Sequence, residues 1–342
     1  MLVSSSFAFR SGVVRNVLGL LLAFFLGWSG QAGAVHRHIS LTTTLAGLPG
    51  EVFFRATDAW QTGYGRLLGE GVIDAEPVQI ELIASLEYEN GTGSFTGFIT
   101  LNWLSGDALV MRYVGGAIRN SAGDTTVAGD LAVLGGRGAY TRATGQGHVD
   151  GFRSGQLGGP VRYDIEIDLG RDRGAGQRDE RFTTDAREAI GLEARGVASP
   201  ERRRSSGVSL DVELIGLPEQ QFFRDIASGG GLRYGGGRWL GTTLWRGQPV
   251  QVELLGVAET RQGEGPFTGF VHLQRPDGSV LLCRYFGHVE RGAGGRMLLQ
   301  GDLEAFYGTG SFAQTRGKGR LMARSEGVAG TALNARIELK FQ

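Results

Sequence analysis

The amino-acid sequence predicts an all-β protein: two tandem eight-stranded antiparallel barrels preceded by a signal peptide. Three observations predict it. The chain is an internal duplication. Gly129-Asp130-Leu131, Gly136-Arg137-Gly138-Ala139-Tyr140 and Gly145-Gln146-Gly147 return as Gly301-Asp302-Leu303, Gly308-Thr309-Gly310-Ser311-Phe312 and Gly317-Lys318-Gly319, at a constant offset of 172. Each copy is a series of short apolar runs separated by turn residues, with no helix-period segment of useful length. About eight such runs fit in a copy, the number at which a sheet can close on itself and remove its exposed edges.

In the first copy Ile39 to Ala46 is a strand ended by Gly47-Leu48-Pro49, and Val52-Phe53-Phe54 begins another. Gly63-Tyr64-Gly65 has the composition of a loop. Val78-Gln79-Ile80-Glu81-Leu82 alternates apolar and polar residues as a half-buried strand does. Asn90-Gly91-Thr92-Gly93 is a turn, as is Ser105-Gly106-Asp107, and strands span Phe95 to Trp103 and Leu109 to Val114. Thr125 to Leu134 and Ala139 to Val149 flank a glycine turn, and Val161 to Leu169 closes the unit.

The second copy repeats Phe53-Phe54-Arg55 as Phe222-Phe223-Arg224 at an offset of 169, and Val78 to Leu82 as Val250 to Leu254 at 172. Three extra residues therefore enter between these points, where Gly235-Gly236-Gly237 predicts a loop. The predicted organisation is a signal peptide over 1–34, a first barrel over 35–169, a charged linker over 170–207 and a second barrel over 208–342. The signal assignment rests on Arg10 and Arg15 before the apolar run Val17 to Trp28, then Ala32-Gly33-Ala34. That run is too short to span a bilayer, so an extracytoplasmic protein, periplasmic or secreted, with no membrane span after cleavage is expected. The linker carries Arg202-Arg203-Arg204 and one short helical pattern over Thr184 to Arg195.

Composition excludes several function classes. Lys and Arg number 35, as do Asp and Glu, and no basic stripe supports nucleic-acid binding. Cys283 is the only cysteine, so no intramolecular disulfide and no cysteine metal cluster can form. His36, His38, His148, His272 and His288 have no zinc-ligand spacing, so no metal is expected. The glycine motifs lack the Gly-Lys-Ser/Thr or following helix of a phosphate loop, and no cofactor is expected. They suit positive φ in hairpin turns instead.

Tyr307-Gly308-Thr309-Gly310-Ser311-Phe312-Ala313-Gln314-Thr315-Arg316-Gly317, following Gly301-Asp302-Leu303, resembles the turn and small-residue strand of the allene oxide cyclase and dirigent barrel superfamily. Gly136 to Gly145 is a looser match. The resemblance implies an eight-stranded antiparallel barrel with a ligand-holding interior. It also implies either a stereochemistry-guiding role without catalytic groups or a cyclase or isomerase acting on a reactive intermediate.

The ligand-binding candidates are Arg112, Tyr113, Arg284 and Tyr285. Each arginine stands in an apolar strand, Val110-Met111-Arg112-Tyr113-Val114 and Leu282-Cys283-Arg284-Tyr285-Phe286. A guanidinium there needs a partner. It is either a carboxylate, in an ion pair at the barrel rim or between barrels, or an anionic group on a bound molecule. Asp130 and Asp302 are possible carboxylates or turn formers. Glu81 and Glu253, opposite the apolar face of their strands, are expected outward and solvated, or in the pocket if the lumen is polar. No catalytic residue is assigned. The expected partner is a small apolar or carboxylate-bearing molecule, with barrel–barrel packing within the chain as a further expectation. Packed barrels with a structural or interaction role are the alternative.

Overall fold

A computed structural model describes residues 37–155, 158–170, 207–226, 231–292, 296–325 and 332–341. The expected signal peptide, the linker with its helical pattern and arginine triplet, and His36 lie outside these residues.

The first closed barrel comprises β1 (Arg37–Ala56), β2 (Trp60–Ile73), β3 (Glu76–Glu89), β4 (Thr92–Trp103), β5 (Ala108–Arg119), β6 (Thr125–Arg137), β7 (Gly145–Arg153) and β8 (Val161–Leu169). The second comprises β9 (Gly207–Ile226), β10 (Leu232–Trp245), β11 (Gln248–Arg261), β12 (Gly265–Gln274), β13 (Val280–Arg291), β14 (Met297–Gly308), β15 (Gly317–Ser325) and β16 (Leu333–Phe341). Within each barrel every strand pairs antiparallel with its sequence neighbours. β8 closes on β1 with Leu169 opposite Arg37, and β16 closes on β9 with Leu333 opposite Leu214.

Eight strands are expected per copy and eight are found, but their membership differs. The runs before and after Gly47-Leu48-Pro49 form one long β1 with a register shift between Gly47 and Val52. Gly63-Tyr64-Gly65 lies inside β2 rather than in a loop. A Cβ at Gly63 would collide with the Phe53 carbonyl and the Phe54 ring on β1, so glycine here permits close approach of two strands. Gly235-Gly236-Gly237 likewise lies in β10, and the register moves the three extra residues to the β9–β10 connection, between Asp225 and Arg233. The strand expected from Ala139 begins instead at Gly145 and runs on to Arg153, because Gly138–Tyr140 forms a single 3₁₀ turn. Of the motif glycines, Gly138 and Gly310 do open turns at φ 62° and 54°. Gly129 and Gly301 are mid-strand, where a Cβ would meet the backbone of the neighbouring strand.

Burial alternates along β1 and β8, with Ile39, Leu41 and Leu45 inward against Val161, Ile165 and Ile167. Their outward rows are polar: His38, Ser40, Thr42 and Thr44, and Arg162, Asp164, Glu166 and Asp168. This is the reverse of the apolar outer band of a transmembrane barrel. β3 and β11 instead read as continuously buried from Ile80 to Ser85 and from Val252 to Val257, as strands covered on both faces do. Their second face is covered by the other barrel. Tyr64, Ile83 and Phe98 meet Phe222, Tyr234 and Leu255 in an apolar cluster between the two cylinders.

Candidate functional site

Each lumen is plugged at one end and keeps its residual space near the other. The plug is the glycine motif that repeats in the sequence. In the first barrel the 3₁₀ turn after Arg137 sets the Tyr140 ring on Trp103, centroids 4.7 Å apart, and Arg37 donates to the Tyr140 hydroxyl at 2.9 Å. In the second, Gly310–Phe312 sets Phe312 on Trp245 at 4.9 Å, with the Arg275 guanidinium 4.6 Å from the Phe312 centroid. The motif is therefore a barrel cap.

Toward the other end the first lumen holds a cavity of about 50 Å³, walled by Leu82, Leu86, Phe95 and Val127 and by Tyr88, Tyr113, Tyr163 and Arg153. The second holds one of about 60 Å³, walled by Phe223, Trp239, Leu254, Phe267, Tyr285 and Met297, with Arg233 at its edge. Both are small against the 300–1,000 Å³ typical of drug-sized ligand pockets. Burial raises the phenol of Tyr88 to about 12 and pushes Tyr113, Tyr163 and Tyr285 up as well. The lumens thus offer neutral hydroxyls for hydrogen bonding and no phenolate base.

The polar chemistry of the two lumens differs. Arg153, at the end of β7, is 6% exposed and points inward in phase with Val149 and Gly151. It donates from Nη2 to Thr125 Oγ1 at 3.1 Å, and among the described residues its Nε–H has no hydrogen-bond acceptor. No carboxylate among the described residues lies within ion-pair distance of it. In the second barrel Ser325 stands at the corresponding position, and Arg233 is paired with Asp225 at 3.1 Å. Sequence reasoning missed Arg153 because its strand was ended at Val149. The two-residue rhythm Val149, Gly151, Arg153 was the available signal.

Tyr113 and Tyr285 face their lumens, each against a Phe ring (Phe95 at 4.5 Å and Phe267 at 4.9 Å). Arg112 and Arg284 face the opposite way, into the seam between barrels. Arg112 donates Nε and Nη2 to Glu259 Oε2 at 2.8 and 2.6 Å. Arg284 donates to Glu87 at 3.1 Å and to Glu304 at 3.0 Å. Beside this second set is a cavity of about 20 Å³, enough for about one water. Burial raises the Glu87 carboxyl, Arg284 lowers it, and the balance leaves it at about 7.

Glu81 and Glu253 do face outward, but they are not solvated: the partner barrel leaves them 5% and 3% exposed. Glu81 accepts from Arg66 of its own barrel at 2.6 Å and from Arg224 of the other at 2.7 Å. Glu253 accepts from Arg238 at 2.6 Å and from Arg55 of the first barrel at 2.7 Å. These contacts are reciprocal: each pair on one side recurs with the copies exchanged, as in an isologous interface. Asp130 lies on the outer surface beside His148, at 3.3 Å, and Asp302 pairs in register with Phe286 and Arg320.

The seam also holds a Thr62–His272–Glu253 chain, with Thr62 Oγ1 2.8 Å from His272 Nε2 and His272 Nδ1 3.0 Å from Glu253. Burial lowers the His272 pKa, so the ring is neutral. It donates Nδ1–H to Glu253 and accepts the Thr62 hydroxyl proton at Nε2. Burial opposes the Glu253 charge, but His272 and Arg55 outweigh it and hold the carboxyl below the usual range. The order resembles a nucleophile–base–acid relay. Thr62 is 0% exposed, however, out of reach of a substrate from solvent. The reciprocal position carries Tyr234, bonded to Thr100 at 2.8 Å. We read both as seam hydrogen bonds. A concavity of about 630 Å³ is an open groove outside the second barrel, lined in part by the ion pair Arg336–Asp211.

No family model matches the chain, and no curated protein matches it. Among solved structures, the crystal structure of Pseudomonas aeruginosa OccK9 (OpdG) aligns over 89% of this chain and 97% of its own at 12% identity, with a TM-score of 0.13. A likeness that slight carries no argument about fold or function.

Proposed function

We propose that this chain is an exported binding protein that holds a small, largely apolar molecule in a barrel lumen, a holding or guiding role of the dirigent type. The observation that carries this reading is the pair of apolar, aromatic-lined cavities at matching ends of two lumens whose other ends are plugged. The raised tyrosines support holding over proton transfer, which an allene oxide cyclase-like reaction would ask of the same walls. The apolar run before Ala32-Gly33-Ala34 supports export.

A second reading is favoured by one specific quantity. Cavities of only about 50 and 60 Å³ also suit barrels packed as scaffolds, with a structural or interaction role. Native mass spectrometry of the protein purified from its own cells, followed by denaturation and small-molecule analysis, separates the two. A stoichiometric compound released on unfolding supports the binding reading. An empty protein whose melting temperature is unmoved by a panel of small apolar fragments overturns it in favour of the scaffold.

A further inference from the structure

We infer that the first barrel is an anion-selective lumen that takes a short-chain monocarboxylate, with Arg153 as the residue that recognises the carboxylate. The inference rests on the lumen-binding reading above and adds the ligand class and the residue that selects it.

An arginine buried to 6% exposure inside a β-barrel is costly unless its charge is compensated. Among the described residues the buried arginine–carboxylate contacts belong to the seam, where Arg112 and Glu259 illustrate the ordinary solution. Arg153 has a neutral hydroxyl, Thr125, as its hydrogen-bond acceptor. Arg153 lines the same cavity as the tyrosine cluster, and among the described residues its Nε–H meets no acceptor. Nε–H of a guanidinium is one arm of the fork that carboxylates engage. The remaining wall is hydrocarbon and aromatic ring, suited to a short alkyl tail and unable to solvate a second charge.

Volume sets the size of the ligand. A cavity of about 50 Å³ accommodates roughly four water-sized groups, so a carboxylate with a tail of one or two carbons is the expected scale. The duplication provides an internal contrast. Arg153, Tyr88 and Tyr163 correspond to Ser325, Thr260 and Ala335, so the second lumen lacks a cation at this position and two of the three phenols. The arginine at the second cavity, Arg233, also has an Nε–H without an acceptor, but it is paired with Asp225; among the described residues only the first cavity has an arginine with no carboxylate partner.

The test uses the intact chain with propionate and propionamide, which match in shape and differ in charge. Calorimetric titration should give propionate an affinity at least about tenfold above propionamide, in the range of a buried charge-assisted hydrogen bond. Arg153→Met, which keeps the volume of the stem, should erase that difference while leaving propionamide unchanged. Arg153→Lys should restore part of it. Equal affinities in the unsubstituted protein overturn the anion inference and leave the lumen reading standing. Failure of both probes to bind, in a protein that also yields no co-purified molecule, overturns the lumen reading itself. The unsubstituted comparison decides the matter even if Arg153→Met fails to fold.

Discussion

The seam and the lumens of this molecule have diverged to different degrees since the duplication. Across the seam, charged residues recur in both copies: Arg55 and Arg224, Arg66 and Arg238, Glu81 and Glu253, Glu87 and Glu259, Arg112 and Arg284. In the lumens Tyr113 and Tyr285 recur, but Arg153 faces Ser325, Tyr163 faces Ala335, and Leu67 faces Trp239 in the comparison of copies. A residue retained at a reciprocal contact is held by both barrels at once, because either change breaks a pair. A lumen residue answers only to its own cavity. Recurrence in this chain therefore marks structure, and the candidate chemistry lies where the copies disagree.

The seam is not perfectly symmetric, and the largest expected effect tests that. Glu253 serves two arginines and His272, whereas Glu81 serves Arg66 and the more exposed Arg224. Glu253→Gln leaves that cluster uncompensated and is expected to cost about 3 kcal/mol in denaturant unfolding. Glu81→Gln is expected to cost about 1 kcal/mol less, since Arg224 keeps access to water. Equal losses would remove the distinction between the two ends. Next in size is Gly236→Ala. A Cβ there would strike the Tyr64 ring across the seam and the Gly256 carbonyl, and about 2 kcal/mol of destabilisation is expected. An unchanged melting temperature would mean the barrels are less tightly joined than described.

The pH dependence should oppose itself across the seam. Glu87 has its pKa raised to about 7, so its contribution is fully present below the unfolded value near 4.5 and is lost as pH rises to about 7. His272 has its pKa lowered, so its contribution is present above about 6.5 and is lost as pH falls through the folded value. Glu87→Gln should flatten the rise-side loss between pH 4.5 and 7 and leave the acid-side loss in place. A variant with the same profile as the parent would show that Glu87 does not titrate in the seam. The smallest effect concerns Cys283, 0% exposed in the second lumen, whose thiol burial pushes up. It should resist thiol reagents until the second barrel unfolds, and labelling of the native protein at the rate of a free thiol would contradict its burial.

Much of the fold was legible because closure and duplication leave regular traces. The offset of 172 and the two-residue rhythm placed most strands. The two strand segments read as loops share one cause. Gly63, Gly65 and Gly235 to Gly237 look like loop residues, since glycine usually punctuates, yet here they let strands and barrels approach closely. Arg112 and Arg284 stood out as needing partners, and alternation sets them opposite Tyr113 and Tyr285. What lies beyond that face was not readable from one copy, because only a second barrel turns an outward position into a buried one. The same gap made Glu81 and Glu253 look solvated. Arg153 escaped notice because the strand was ended at Val149, four residues before the last inward position of β7.

A face that fits its own duplicate also has a consequence for assembly. Only 37 residues join Leu169 to Gly207, yet the reciprocal pairing does not depend on that covalent thread. Halves expressed separately should find each other, and a chain cut between them should stay whole in solution. By the same token, crowded molecules can trade barrels, the front half of one clasping the back half of another, so concentration governs whether this protein exists as a closed monomer or as an exchanged dimer.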